Sequence, residues 1–195
     1  MSTLIANPSS RPPPLRPFSV AEYHRMIETG ILNEGDKVEL IEGNVVPKMP
    51  RNPPHDGTLD LVRDAVLVVV PADWILRTQQ AVTFSDSELE PDFALARGNK
   101  RSYLKRHPRP ADVGKVIEVS DSSLERDRGD KGRIFAAAGI PIYWIVNLVD
   151  RQIEVYTGPT AAGYAQRQDF GPGTQVPFVL DGVTLGHLPV DDLLP

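Results

Sequence analysis

Four residues in this chain could do phosphate chemistry together. Asp92 follows Pro91 at the head of a short apolar run, FALA. Glu118 sits in the middle of a longer one, VGKVIEVS. Lys131 lies in the segment that follows, and Glu39 stands in an earlier run, KVELI. A carboxylate within a Val/Ile strand is costly unless it holds a cation. Carboxylates that converge without a fixed positive partner repel one another. They are stable only with protons or a hard divalent cation between them. Magnesium suits such a set, because it takes one or two carboxylates, keeps waters and leaves room for phosphate oxygens. A nearby lysine could orient a water or stabilise charge developing on the phosphorus.

These residues need strands and a helix to bring them together. The stretch from Val113 to Asn147 predicts a buried strand, a helix and a second buried strand. Ser122-Ser123-Leu124-Glu125 reads as an N-terminal cap, and Gly139 and Pro141 close the helix. Leu124, Arg128, Lys131, Phe135 and Ala138 recur at helical spacing, so one inward face is expected to carry all five. Asp127, four residues before Lys131, could pair with it. If the strands of Asp92 and Glu118 are neighbours, both carboxylates meet at one sheet edge.

The remainder of the chain supplies further elements. Ser19 and Glu22 form a capping box ahead of a helix that ends at Gly30. KVELI alternates as a strand, and Glu42-Gly43-Asn44 is hairpin chemistry. A second helix is expected from His55 to Val70, with Leu59, Val62, Val66 and Val69 on one face. Trp74 to Phe84 reads as one strand. QIEVY should pair antiparallel with IYWIVN, and further strands are expected at Tyr164 to Arg167 and Pro177 to Leu180. Trp74 and Trp144 are expected in the core. A strand–helix–strand unit beside hairpins predicts an α/β chain, a mixed sheet flanked by helices. Residues 1 to 17 hold five prolines and predict a disordered tail. Residues 18–195 form one domain, of which 159–195 is a strand-rich extension.

Composition narrows the function. The 195 residues contain no cysteine, which excludes disulfides and thiolate ligands and fits a reducing cytoplasm. No apolar run approaches a membrane span. Net charge is −5, but residues 97–109 carry Arg97, Lys100, Arg101, Lys105, Arg106 and Arg109 with no acid. With those six cations set aside the chain stands at −11. An acidic molecule with one basic segment can grip a nucleic-acid backbone locally. Serines lack the glycines of a nucleophile elbow, no phosphate-binding glycine loop is present, and the four histidines are scattered.

The residues resemble a known family. Pro91-Asp92, Glu118-Val119-Ser120 and a displaced lysine are similar to the PD-(D/E)xK nucleases. The long segment VIEVSDSSLERDRGDKGRIFAAAGIPIYWIV resembles the Uma2-like, or DUF820, endonuclease branch, whose lysine lies on the following helix. FSVAEYHRM, VELIEGNVVPKMP, PDFAL and IEVY extend the resemblance over residues 18 to 157. It implies a restriction-endonuclease-like core, a homodimer and cleavage of DNA with Mg2+ or Mn2+. It implies Asp92, Glu118 and the Val119 carbonyl as metal ligands, Lys131 as the catalytic lysine and Glu39 as the acid completing the site. His55 matches the family's histidine at the start of the second helix, and Asn147 stands where many members carry aspartate. Ser120 replaces the usual strand lysine, which leaves a catalytically inactive binding module as the alternative.

Overall fold

The computed structural model describes residues 15–195; most of the proline-rich tail expected over residues 1–17 lies outside them. The first helix, α1 (Val20–Glu28), begins at the expected Ser19–Glu22 capping box. Two short strands follow, β1 (Val38–Ile41) and β2 (Asn44–Pro47). Their turn places Glu42 and Gly43 at φ 46° and 75°. Two successive positive φ angles match the right-handed twist of a two-residue hairpin. Gly43 is required for a second reason: a Cβ there would lie 2.4 Å from Pro17.

Helix α2 (Pro53–Leu67) starts two residues earlier than the periodicity suggested. Asn52 caps it by accepting the His55 N–H, and proline is tolerated in the first turn because those N–H groups have no helical partner. The segment expected as one strand from Trp74 to Phe84 is in fact two, β3 (Trp74–Thr78) and β4 (Val82–Thr83). Gln79 adopts φ 51° between them, which ends the extended run. The two pieces then join different sheets.

Strand β4 pairs with β5 (Glu88–Leu89), which pairs with β1, in a four-stranded sheet of order β2-β1-β5-β4. The central sheet has six strands. Its members are β3, β6 (Phe93–Arg97), β7 (Val113–Ser120), β8 (Ile142–Asn147), β9 (Gln152–Thr160) and β10 (Gly163–Phe170), in the order β10-β9-β8-β7-β6-β3. Strands β11 (Gln175–Leu180) and β12 (Val183–Pro189) make a separate hairpin. The single mixed sheet of the sequence reading is therefore three sheets, but the mixed α/β character stands. The only parallel pair among the described residues is β7–β8, joined by the helical crossover that the strand–helix–strand pattern predicted.

That crossover is not one regular helix. It runs as α3 (Leu124–Arg126), a π-helical turn (Asp127–Lys131) and α4 (Gly132–Ala137). Gly132 closes the wide turn by donating its N–H to the Asp127 carbonyl.

Two apolar layers cover the central sheet. One face packs Ile117, Val119, Trp144 and Val146 against Leu59, Val62 and Val66 of α2 and against Phe178 and Leu188 of the β11–β12 hairpin. The other packs Val116, Ile145 and Tyr143 against Ile134 and Phe135 of the crossover. Trp74 and Trp144 are both core residues, as expected. No helix among the described residues is long and apolar enough to cross a membrane.

Candidate active site

The register of β6 and β7 pairs Phe93 with Ile117, so Asp92 comes opposite Glu118 one step further on. Directly opposed residues of an antiparallel pair point to the same face and touch. Two buried carboxylates so placed would repel, and the surrounding groups answer that. The Asp92 N–H donates to Glu118 Oε2 at 3.0 Å. The Val119 N–H donates to Asp92 Oδ2 at 2.9 Å. Gln79 donates from Nε2 to Asp92 Oδ1 at 3.1 Å, and His55 Nε2 lies 3.2 Å from Asp92 Oδ2. Lys131 Nζ donates to Glu118 Oε1 at 2.8 Å and lies 3.4 Å from Asp127 Oδ1.

The π-turn determines how Lys131 gets there. In the wider turn Arg128 falls out of phase with Lys131 and Phe135, whereas Asp127 and Lys131, four residues apart, still face the same side. Arg128 was expected to share the inward face; instead it pairs with Glu154 and Asp150, outside the site. Asp127 is held in place by the hydroxyls of Ser120 and Ser123, each donating to Oδ2 at 2.6 Å. Ser120 therefore has a use of its own: where the strand lysine would stand, it fixes the acid that positions the helical lysine.

Glu39 lines the same cavity, of about 380 Å3, as Asp92, Glu118 and Lys131. It does not touch the two carboxylates. Its partner is Arg126, whose guanidinium donates to Oε1 at 2.8 Å. The site thus joins β1, the head of α2, the loop after β3, the head of β6, β7 and the π-turn.

Electrostatics divide the two central acids. Burial and the neighbouring Asp92 and Asp127 push the Glu118 carboxyl well above its ordinary range, against the pull of Lys131. Burial also works on Asp92, but His55 and the Val119 N–H outweigh it and hold its carboxyl below the usual value. For His55, burial is outweighed by Asp92, so the imidazole is raised. Lys131 is raised too: burial opposes its charge, and Glu118, Asp127 and Glu39 more than restore it. The two acids are thus held unequally, Asp92 below and Glu118 above the ordinary carboxylate range, a perturbation common where side chains do chemistry.

Among the described residues no three Asp, Glu, His or Cys side chains form a metal-holding group. The donor chemistry nevertheless fits a hard cation that keeps most of its waters, for which one or two carboxylates suffice. The backbone adds a third oxygen. The Ser120 carbonyl accepts from the Leu148 N–H on the β8 side, so the Val119 carbonyl projects to the β6 side. Continuing the register puts Pro91 opposite it, and a proline has no N–H to give.

Of the residues named from the sequence, Glu39, His55, Asp92, Glu118, Asp127 and Lys131 line this cavity, and Gln79 and Arg126, which the sequence did not single out, line it as well. A lone glutamine in a polar run carries no signal; it becomes visible only when its positive φ turns it back onto Asp92. Asn147 is also explained. Its amide donates to Glu154 Oε1 at 2.6 Å and to Asp150 Oδ2 at 2.9 Å, a task no carboxylate could do.

The basic segment divides. Arg97 stacks over Trp74 and pairs with Asp73 and Asp181, and Arg106 pairs with Asp112. Lys100, Arg101 and Lys105 make no ion pair among the described residues, and Lys100 and Lys105 line cavities beside α1.

A family model described as "Putative restriction endonuclease", Uma2, matches residues 20–190. The chain is a member of the Uma2 family. No curated protein matches it. Among solved structures, this Uma2 chain is similar to a nuclease of DUF820 from Anabaena variabilis, described as putative, with a TM-score of 0.66 and 17% identity over 91% of this chain and 97% of that one. At that identity the likeness establishes the fold alone.

Proposed function

We propose that this chain is a metal-dependent nuclease that hydrolyses phosphodiester bonds in DNA, with Asp92, Glu118 and the Val119 carbonyl as metal ligands and Lys131 as the catalytic lysine. The observation that carries the reading is the cross-strand pair Asp92–Glu118 with Lys131 delivered onto it by the π-turn. A bound Mg2+ or Mn2+ would lower the pKa of a water and polarise the phosphate.

The chain's own residues supply the rest. Asp92, held ionised, presents negative charge to the cation. Lys131 stays protonated beside Glu118 and faces the cavity, where it can hold the attacking water or the charge that develops on phosphate oxygens. Asp127 and Ser120 keep the lysine in that position. His55 and Gln79 fix both oxygens of Asp92, so the carboxylate need not reorganise when substrate arrives. Glu39 and Arg126 form the opposite wall.

Incubating the purified protein with supercoiled plasmid and Mg2+ or Mn2+ tests this. Nicked and linear products are expected, and Asp92→Ala and Glu118→Ala should abolish them. An intact plasmid under all conditions, or equal cleavage by Asp92→Ala, would falsify the reading.

One observation favours a second reading, a binding module without catalysis: all four oxygens of Asp92 and Glu118 already have partners within the chain. It predicts DNA binding that survives Glu118→Ala and needs no metal. Calorimetric Mg2+ binding that disappears in Glu118→Ala would remove its support.

A further inference from the structure

Arg77 lies in β3, two residues before Gln79, and has only 7% of its surface exposed. A guanidinium buried that deeply normally faces a carboxylate or carries hydrogen bonds on its nitrogens. Among the described residues no acid pairs with it, and its Nε has no acceptor. Its guanidinium carbon lies 5.2 Å from the centroid of the Tyr103 ring. A ring face attracts the charge but offers the N–H groups no lone pair in their plane.

Arg77 is not sealed in. It lines a cavity of about 470 Å3 together with Lys100 and Tyr103. Gln79 and Glu90 belong both to that cavity and to the one that holds Asp92, Glu118 and Lys131, so the two adjoin. The acids along this path are already engaged: Glu90 pairs with Lys48, and Glu88 accepts from His24 at 2.7 Å and Thr83 at 2.6 Å. Lys100 has no ion pair among the described residues. The space beside the carboxylate site is thus walled by a buried cation without a counter-ion and a second cation at the surface.

We propose that Arg77 anchors a second phosphate subsite, which with Lys100 holds the backbone of the substrate strand at a phosphate next to the scissile one. The inference rests on the nuclease reading and names how that site takes hold of its substrate. The ligand is the phosphodiester itself, since the guanidinium fork matches phosphate oxygens and a backbone contact carries no sequence information.

The test separates binding from cleavage. A fluorescein-labelled single-stranded oligodeoxynucleotide is titrated in EDTA with wild-type protein, Arg77→Gln, Arg77→Lys and, as a surface control on α2, Arg63→Gln. Arg77→Gln should weaken binding about tenfold and lower the slope of log affinity against log salt by about 0.7. Arg77→Lys should keep the slope and lose part of the affinity, and Arg63→Gln should change neither. An abasic oligonucleotide should show the same dependence on Arg77, because the phosphate and not the base is held. Folded Arg77→Gln with wild-type affinity and slope overturns the proposal. Should Arg77→Gln fail to fold, Arg77→Lys and Lys100→Gln decide it: wild-type affinity in the first with a wild-type slope in the second also overturns it. Plasmid cleavage with Arg77-independent binding refutes the subsite alone. Arg77-dependent binding with no cleavage by the wild-type protein refutes the hydrolytic reading alone.

Discussion

Strand β7 buries two charges three residues apart and treats them in opposite ways. Glu118, 2% exposed, sits among Lys131, the Asp92 N–H and the cavity. Lys115, fully buried on the face that packs against the β11–β12 hairpin, has no hydrogen-bond partner for Nζ. Its nitrogen lies 3.9 Å from the ring centroid of Trp144 and 3.8 Å from that of Phe178. Two ring faces contribute about 0.5–2 kcal/mol each to a cation. Stripping an ammonium of water costs several kcal/mol. Burial therefore wins and drives the Lys115 pKa well below that of a free lysine. The difference separates two reasons for burying a charge. Around Glu118 each charge has a counter-charge and an opening to the cavity. Around Lys115 there is neither, so this residue is a cost to folding with no role in the proposed chemistry.

Substitutions can break that contrast. The largest effect is expected on cleavage: Lys131→Met should reduce plasmid cleavage by about 100-fold or more, whereas Lys115→Met should leave it at the wild-type rate. Equal losses in the two variants would erase the distinction between the two sites.

Stability should move in opposite directions. Lys131→Met leaves Glu118 and Asp127 uncompensated and should cost about 3–5 kcal/mol in urea unfolding. Adding Glu118→Gln to it should restore part of that loss. Lys115→Met removes a buried donor without an acceptor and should stabilise by about 1–3 kcal/mol. A destabilised Lys115→Met would mean that the rings hold the ammonium better than its burial implies.

The pH dependence gives a smaller signal. Lys115 binds fewer protons folded than unfolded, so wild-type stability should rise with pH below the unfolded value near 10.5. The advantage of Lys115→Met should therefore shrink as melting is followed from pH 7 to pH 10. His55 has the opposite sign. Its pKa is raised in the folded state by Asp92, so its contribution is complete below about 6.5 and fades as pH climbs through the folded value. His55→Gln should lose most against wild type at pH 6 and least at pH 9, by thermal melts in EDTA. A difference constant with pH would show that the imidazole is neutral throughout.

The extent to which all this was legible follows physical lines. Caps, hairpins and the two apolar runs are local, and Ser19–Glu22, Glu42–Gly43 and the β7–crossover–β8 unit were readable as such. A carboxylate in an apolar run is a local contradiction, so Glu118 announced itself. Lys115 in the same run gave no comparable hint, because a lysine near a strand end ordinarily reaches solvent; only the docking of the β11–β12 hairpin encloses it. The division of β3 from β4 depended on one backbone angle at Gln79. Arg128 was assigned to the wrong face because the reading assumed 3.6 residues per turn throughout. Glu39 was readable as an acid in an early strand, but that its partner is Arg126 depended on tertiary packing.

The π-turn also sets how the crossover responds to the loss of a residue. It closes from Gly132 back to Asp127 over five residues where an α-turn takes four. Deleting one residue there, Gly129 for instance, would let the chain close as an ordinary α-helix, with Leu124–Asp127 still nearly in phase with α4, which Ile134 and Phe135 fix in the core. Asp127 and Lys131 would then stand three apart instead of four and would still face one another. Such a deletion mutant would keep its lysine, its strands, its core and the acid that steadies the lysine. The extra residue is slack taken up in one place, and the crossover can give it back without moving what it carries to Glu118.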